Sequence, residues 1–256
     1  MNHQLQTALH EVNLSREAIS DRTSEIFERV LRDSAYLDGP NFTAFHPLDL
    51  RRMFDLYDRF FFGQGCREAL GDVPLHFGIS KRMTRSAGTT TRREQGLRMP
   101  GPVHREYKIA VSSTLLFQTF CGEERTVTVS GLVCHNRMQA LQRVMEHEMV
   151  HLIEMLLWTD SSCAARRFQT ITRRFFRHTQ HTHELITPRE KAWTQYQIRP
   201  GDHVRFRFDG HHYSGIVNRI TKRATILVED PRGSRYSDGK HYRKFYVPIQ
   251  MLRKLV

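Results

Sequence analysis

Apolar positions recur along this chain at two spacings, and the change from one to the other divides the sequence into two parts. Up to about residue 190, apolar residues recur mainly at steps of three and four, the spacing of one face of an α-helix. From residue 197 onward they alternate with polar residues, which is the period of a half-buried β-strand. The pattern predicts an α+β chain, with helices and a small sheet first and an all-β segment last.

In the first part, the pattern predicts two helices and two strands before residue 112. They cover residues 12–35, 48–62, 73–79 and 107–111. Gly63 and Gly65 are expected to end the second helix, and residues 86–91 are expected to form a turn between the strands. Residues 1–45 form a predicted N-terminal helical extension. Its apolar face either packs on the core or binds a partner, and we favour packing.

A third helix is predicted over residues 138–158, with Asn136 as its N-cap. It contains the motif HExxH, in which His147 and His151 lie four residues apart and therefore on one helical face, so that both can bind one Zn²⁺. Glu148 lies beside that metal, placed to accept a proton from a bound water whose pKa falls from about 15.7 to about 7. The alternative is a core helix with two incidental histidines. The motif favours a zinc hydrolase.

A catalytic zinc needs a third protein ligand, which leaves one coordination position for water. Cys163 follows the helix in a short polar segment, and a thiolate is a good zinc ligand; the alternative is a buried free cysteine. A downstream histidine cluster leaves three other candidates open: His178, His181 and His183. Glu154 lies seven residues after His147, about 10 Å along the helix axis. We therefore expect Glu154 to support the ligands rather than bind the metal.

Three segments, in this order, resemble the SprT-like zinc metalloproteases, the group that includes Spartan, a protease of DNA–protein crosslinks. They are residues 50–63 (LRRMFDLYDRFFFG), residues 79–88 (ISKRMTRSAG) and the HEMVH helix. The resemblance covers residues 46 to 186 and implies a zincin-like domain, which we place at 46–190, that hydrolyses peptide bonds in a protein substrate. Where these proteins usually carry a histidine as the third ligand, this chain has Cys163, so the resemblance favours this cysteine over the later histidines.

In zincins a sheet beside the metal-binding helix can hold an extended substrate by strand addition. Lys81, Arg82 and Arg85 follow the first predicted strand, so they either border such a cleft or are solvated charges at a strand edge. Solvated charges are the commoner case.

Composition adds a partner and a compartment to this interpretation. The 256 residues include 39 Lys and Arg against 27 Asp and Glu, a formal net charge of +12, which favours a polyanionic partner. Four cysteines without paired spacing, Cys66, Cys121, Cys134 and Cys163, argue against a disulfide framework. There is no apolar targeting segment in the first residues and no run of membrane-spanning length, so we expect a soluble, cytoplasmic protein.

Most of the excess charge lies near the C-terminus. Residues 198–256 carry 13 Lys and Arg against five Asp and Glu, an excess of eight. Short alternating strands separated by glycine-containing turns predict a small SH3-like barrel over residues 197–256. Arginines interleaved with aromatics suit phosphate contacts and base stacking in DNA or RNA. The candidate contact residues are Arg205, Arg207, Tyr242, Arg243 and Lys244, with Tyr242 expected to be exposed.

Two functions from different classes follow from these observations. The first is a zinc metalloendopeptidase recruited to nucleic-acid-associated proteins by its C-terminal barrel. The second is a non-catalytic nucleic-acid-binding protein with a structural zinc site. Glu148 favours the first, because a closed structural site has no use for a carboxylate beside an open coordination position.

Overall fold

The computed structural model describes residues 3–95, 104–120 and 126–255, and the chain divides into two compact units. Unit 1 is Met1–Leu185 and unit 2 is Ile186–Val256. Unit 2 begins before the predicted start at residue 197 because the helix that opens at Pro188 belongs to it. Mixed helices and sheets confirm the α+β class.

Unit 1 contains helices that follow the predicted apolar spacing, with one division that the sequence pattern did not reveal. Their bounds are α1 His3–Glu11, α2 Arg16–Asp33, α3 Pro47–Phe62, α4 Gly65–Leu70, α5 Ser113–Thr119, α6 Arg137–Trp158 and α7 Arg166–Phe176. The predicted helix over residues 12–35 was wrong at its start: a break follows α1, and Ser15 caps α2 by accepting a hydrogen bond from the Ala18 N–H. Gly63 ends α3 in the left-handed region, at φ 59°, whereas Gly65 begins α4 instead of ending a helix.

Strands β1 (Leu75–Ser80), β2 (Gly88–Gln95) and β3 (His104–Ser112) form a sheet with the order β1-β3-β2 among the described residues. β1 runs parallel to β3, and β2 runs antiparallel to it. The predicted turn over residues 86–91 was wrong, since β2 begins at Gly88. The sequence of β2, GTTTRREQ, lacks the apolar alternation that marks a half-buried strand. A short hairpin, β4 (Val127–Val129) and β5 (Leu132–Cys134), completes the described strands of this unit.

The N-terminal helices pack into the main core of unit 1. Ile19, Ile26 and Val30 of α2 belong to the same apolar cluster as Leu141 and Met145 of α6. Core packing of this predicted helix is therefore confirmed. Among the described helices, none combines the length and apolar character that a membrane span requires.

Unit 2 joins one helix to an antiparallel sheet. Its elements are α8 Pro188–Tyr196, β6 His203–Phe208, β7 His211–Ile220, β8 Ala224–Arg235, β9 His241–Val247, a 3₁₀ turn Ile249–Met251, and β10 Arg253–Lys254. The described strands pair in the order β10-β6-β7-β8-β9, and no pairing between β9 and β10 closes the sheet. The closed barrel that was predicted is thus not observed. The two-residue β10 pairs with β6 alone.

Candidate functional site

Helix α6 brings the two histidines of the HExxH motif together. The helix begins where the Asn136 side chain accepts a hydrogen bond from the Gln139 N–H at 2.9 Å, as expected of an N-cap. One turn separates His147 from His151, and their Nε2 atoms lie 3.2 Å apart. Ligand atoms on a tetrahedral zinc ion are about 3.3–3.6 Å apart for ordinary zinc–nitrogen and zinc–sulfur bond lengths. The spacing of the two imidazole nitrogens therefore fits a shared metal.

Cys163 completes a group of three donors. α6 ends at Thr159 in the left-handed region, at φ 66°, and the chain doubles back. One ligand atom each from His147, His151 and Cys163 lies within 4.8 Å of the other two, and closing this group on one ion takes a movement of about 1 Å. Within the described residues this is the group of His, Cys, Asp and Glu side chains suited to hold a metal. A set of two imidazoles and one thiol matches zinc with one position left for water.

Burial keeps the imidazoles in the form that binds metals. It lowers the pKa of His147 to about 3, with smaller effects from His151 and the histidines downstream, and it also lowers the pKa of His151. Both rings are therefore neutral near pH 7, with lone pairs available for a cation. The ring of Phe168 packs against both, at centroid distances of 4.8 and 4.5 Å.

A chain of hydrogen bonds orients His151. The Ser161 hydroxyl lies 2.7 Å from His151 Nδ1 and donates to Glu154 Oε2 at 2.6 Å. Arg167 Nε donates to the other oxygen of Glu154 at 2.7 Å. Nδ1 is therefore engaged while Nε2 faces His147, which is how proteins fix the ring of a metal-binding histidine. Glu154 therefore reaches His151 through Ser161 and is not a member of the three-donor group.

The side chain of Glu148 is buried on the β2 side of α6, with 4% of the residue exposed. The Thr90 hydroxyl lies 2.8 Å from Glu148 Oε2 and 2.9 Å from the Glu148 carbonyl oxygen. Burial raises the pKa of this carboxyl to about 8, and the hydrogen bond with Thr90 opposes the rise. A cation bound beside it favours the ionised form, so the group is suited to exchange a proton near neutral pH.

The other histidine candidates have different partners. His178 Nε2 lies 2.8 Å from Glu146 Oε2, inside the core. His183 Nε2 donates to the Arg85 carbonyl oxygen at 2.8 Å, since a carbonyl can only accept. His178, His181 and His183 lie close enough to lower the pKa of His147, but they are not members of the three-donor group. The contact with His183 ties the backbone of Arg85 to the segment after α7, whereas the side chains of Lys81, Arg82 and Arg85 are exposed.

One buried polar cluster was missed in the sequence. Glu146 accepts hydrogen bonds from the Tyr57 hydroxyl at 2.6 Å and from Arg143 Nη1 at 2.9 Å, and His178 is its third partner. Gln142 joins the cluster by donating to the Tyr57 hydroxyl. The cluster ties α3 and the segment after α7 to the residue before His147. The sequence signal that could have predicted this cluster is Glu146, a carboxylate at an inward-facing position of a core helix.

In unit 2, the strand register sorts the predicted nucleic-acid contacts onto two faces of the sheet. Arg205 pairs with Ser214, Arg207 with His212, and Lys244 with Leu227, and the alternation of residues along the strands places all three on the face opposite Phe206 and Phe245. Three further residues lie on this face: Arg219, Tyr246 and Arg253. We call these six residues the basic face.

Two of the predicted contacts are not among the six residues of the basic face. Arg243 pairs with Val228 on the opposite face, and its guanidinium lies 5.2 Å from the centre of the Phe245 ring. The expected exposure of Tyr242 was wrong, because only 4% of the residue is accessible and its hydroxyl donates to Asp238 at 2.8 Å. The register shift in β8 between Glu229 and Ser234 brings Gly233 against the Tyr242 backbone, which explains its burial. Tyr246, 59% exposed, is the accessible tyrosine of this strand.

The comparisons with known proteins found no relative of this chain. No protein-family model, no curated protein and no solved structure matches the chain.

Proposed function

We propose that unit 1 is a zinc-dependent endopeptidase of the SprT-like type, with a zincin-like arrangement of helix and sheet. The observation that carries this proposal is the meeting of His147, His151 and Cys163 beside the buried carboxylate of Glu148. When bound there, Zn²⁺ supplies a water of lowered pKa and polarises the carbonyl group of the substrate. Glu148 would accept a proton from a water at that ion and would pass it to the leaving amine.

The position of β2 supports an extended protein substrate. β2 is an edge strand of the described sheet, and its residues Gly88 and Thr90 lie against Glu148. Its outer edge can pair with a peptide backbone, which would lie across the metal centre. This arrangement favours a peptide bond as the group that is hydrolysed.

A structural zinc site in a non-catalytic protein is the rival proposal. Structural sites commonly use four protein ligands, whereas the donor group described here has three members. A purely structural site also gives no role to the buried, hydrogen-bonded Glu148.

Removal of the metal tests the enzymatic proposal. Zinc-loaded protein is expected to generate new peptide termini in an unfolded protein such as β-casein, detected by mass spectrometry. Treatment with 1,10-phenanthroline should stop the cleavage, and added zinc should restore it, because the nucleophilic water depends on the metal. Zinc-loaded protein that binds the metal stoichiometrically but cleaves no unfolded protein would favour the structural-site proposal.

We further propose that unit 2 recruits the enzyme to DNA or RNA through the basic face. Arg205 and Arg219 have no ion-pair partner in the described structure, so their charges are available to phosphates. The exposed ring of Tyr246 provides a stacking surface for a base. The strand number and antiparallel order are those expected for an SH3-like sheet, and we retain that relationship as a proposal.

Replacing Arg205, Arg207 and Lys244 together by glutamine should weaken binding of the full chain to nucleic acid and flatten its salt dependence. Each lost phosphate contact lowers the slope of log K against log salt by about 0.9 on duplex DNA or about 0.7 on single strands. The triple variant should therefore lose about 2–3 from that slope in fluorescence anisotropy. Arg243→Gln, on the opposite face, is the matched control and should change the slope by less. Failure of the unmodified chain to bind even at low salt would remove this role.

A further inference from the structure

Two residues of strand β2 lie close to the Glu148 side chain. Thr90 contacts both the carboxylate and the backbone carbonyl of Glu148 through one hydroxyl. Gly88, two residues earlier on the same face of the strand, leaves the space that the carboxylate occupies: a methyl group there would lie 2.6 Å from Oε1 and 2.7 Å from Cγ of Glu148. Carbon atoms do not approach that closely without displacement of one partner.

The two contacts give the two oxygens of Glu148 different surroundings. Oε2 is held by the Thr90 hydroxyl, whereas no hydrogen bond to Oε1 is present among the described residues. Thr90 also contacts the carbonyl oxygen of the same residue, so the side chain is fixed relative to its own helix backbone. A carboxylate held in this way has few alternative rotamers, and it need not be reordered before each proton transfer.

We propose that Thr90 and Gly88 are positioning residues for Glu148: Thr90 holds Oε2, Gly88 provides the space, and Oε1 is left as the oxygen that exchanges the proton. This inference rests on the proposed hydrolytic function for the role of the proton, while the geometry of the carboxylate is independent of it. In this scheme the Thr90 side chain and the space at Gly88 act on Glu148, whereas any pairing of β2 with a substrate involves the strand backbone. Their effect passes through Glu148.

The Thr90 test compares three variants of the full chain. Thr90→Val removes the hydroxyl and keeps the branched shape, and it should lower kcat about 10- to 100-fold with little change in KM. Thr90→Ser restores the hydroxyl and should return kcat to within about threefold of the original protein. Thr91→Val makes the same change on the opposite face of β2, at a threonine whose hydroxyl makes no hydrogen bond among the described residues, and it should leave kcat unchanged.

Gly88→Ala tests whether the Glu148 carboxylate needs the space that Gly88 leaves. The φ angle of Gly88 lies outside the left-handed region, so alanine fits the backbone and only its methyl group acts. The methyl should displace the carboxylate and lower kcat about 100-fold with zinc content unchanged. Gly78→Ala is the matched control, since its methyl meets the end of the flexible Lys108 side chain, 2.8 Å from Cε, which can move aside.

Crystal structures of Thr90→Val and Gly88→Ala provide a readout that does not depend on activity. We expect the Glu148 carboxylate to leave its place in both, while the three donor residues stay in position. If the carboxylate does not move, or if Thr90→Val lowers the melting temperature and kcat is unchanged, Thr90 has only a packing role and the inference fails. If the carboxylate moves but the original protein cleaves nothing, the positioning stands and the proposed hydrolysis fails.

Discussion

Glu148→Gln is expected to abolish peptide hydrolysis while the fold and the bound zinc are kept. The amide has the shape of the carboxylate and can still accept a hydrogen bond from Thr90 through its oxygen, which lies 2.8 Å from that hydroxyl in the carboxylate form. It has no basic site for the proton of the attacking water. Loss of a general base typically lowers kcat about 10²- to 10⁴-fold. Cleavage of β-casein under multiple-turnover conditions measures this loss.

The control for Glu148→Gln must separate catalysis from stability. Glu68→Gln makes the same change at an exposed position of α4 and should leave cleavage unaffected. Circular dichroism and zinc analysis should show both variants folded and metallated. A Glu148→Gln protein with full zinc content that cleaves within about threefold of the original rate would remove Glu148 from the mechanism.

The fold could be predicted where local patterns are strong. α3 and α6 combine regular apolar spacing with clear end signals, and both lie within one or two residues of their predicted bounds. β2 could not be predicted, because it is an edge strand that meets α6 through glycine and threonine rather than apolar side chains. Closure of the sheet in unit 2 depends on tertiary pairing of its terminal strands, which strand periodicity does not specify.

The candidate site also has one part that local sequence patterns predict and another part that they do not. The relation between His147, Glu148 and His151 follows from helix geometry, so the spacing of the motif was sufficient to predict it. The contact of Thr90 with Glu148 joins residues 58 positions apart, and the Glu146–Tyr57 hydrogen bond joins residues 89 apart. No local periodicity encodes such pairs. At Tyr242 the local strand pattern was misleading. A register shift buries its ring, although the pattern had predicted an exposed position.

Cys163→Ala is expected to remove most of the zinc and, with it, the activity. The cysteine is one of three donors in the described group, so its loss leaves two imidazoles to hold the ion. Loss of a partner that only orients a ligand already costs about 10- to 100-fold in metal affinity, and loss of the ligand itself should cost more. Competition with a chromogenic chelator at fixed pH measures the affinity. Cys163→His should retain zinc, because imidazole also binds zinc and the loop needs only a small adjustment.

Cys134→Ala is the matched control for the cysteine. Burial raises the pKa of Cys134 to about 11, so this thiol stays protonated near pH 7 and is a poor metal ligand. Its replacement should leave the zinc content unchanged. Full zinc occupancy in Cys163→Ala would instead reassign the third ligand to a histidine. His181 would then be the first residue to replace, since Nε2 of His178 is already bonded to the buried carboxylate of Glu146 and Nε2 of His183 to the Arg85 carbonyl oxygen.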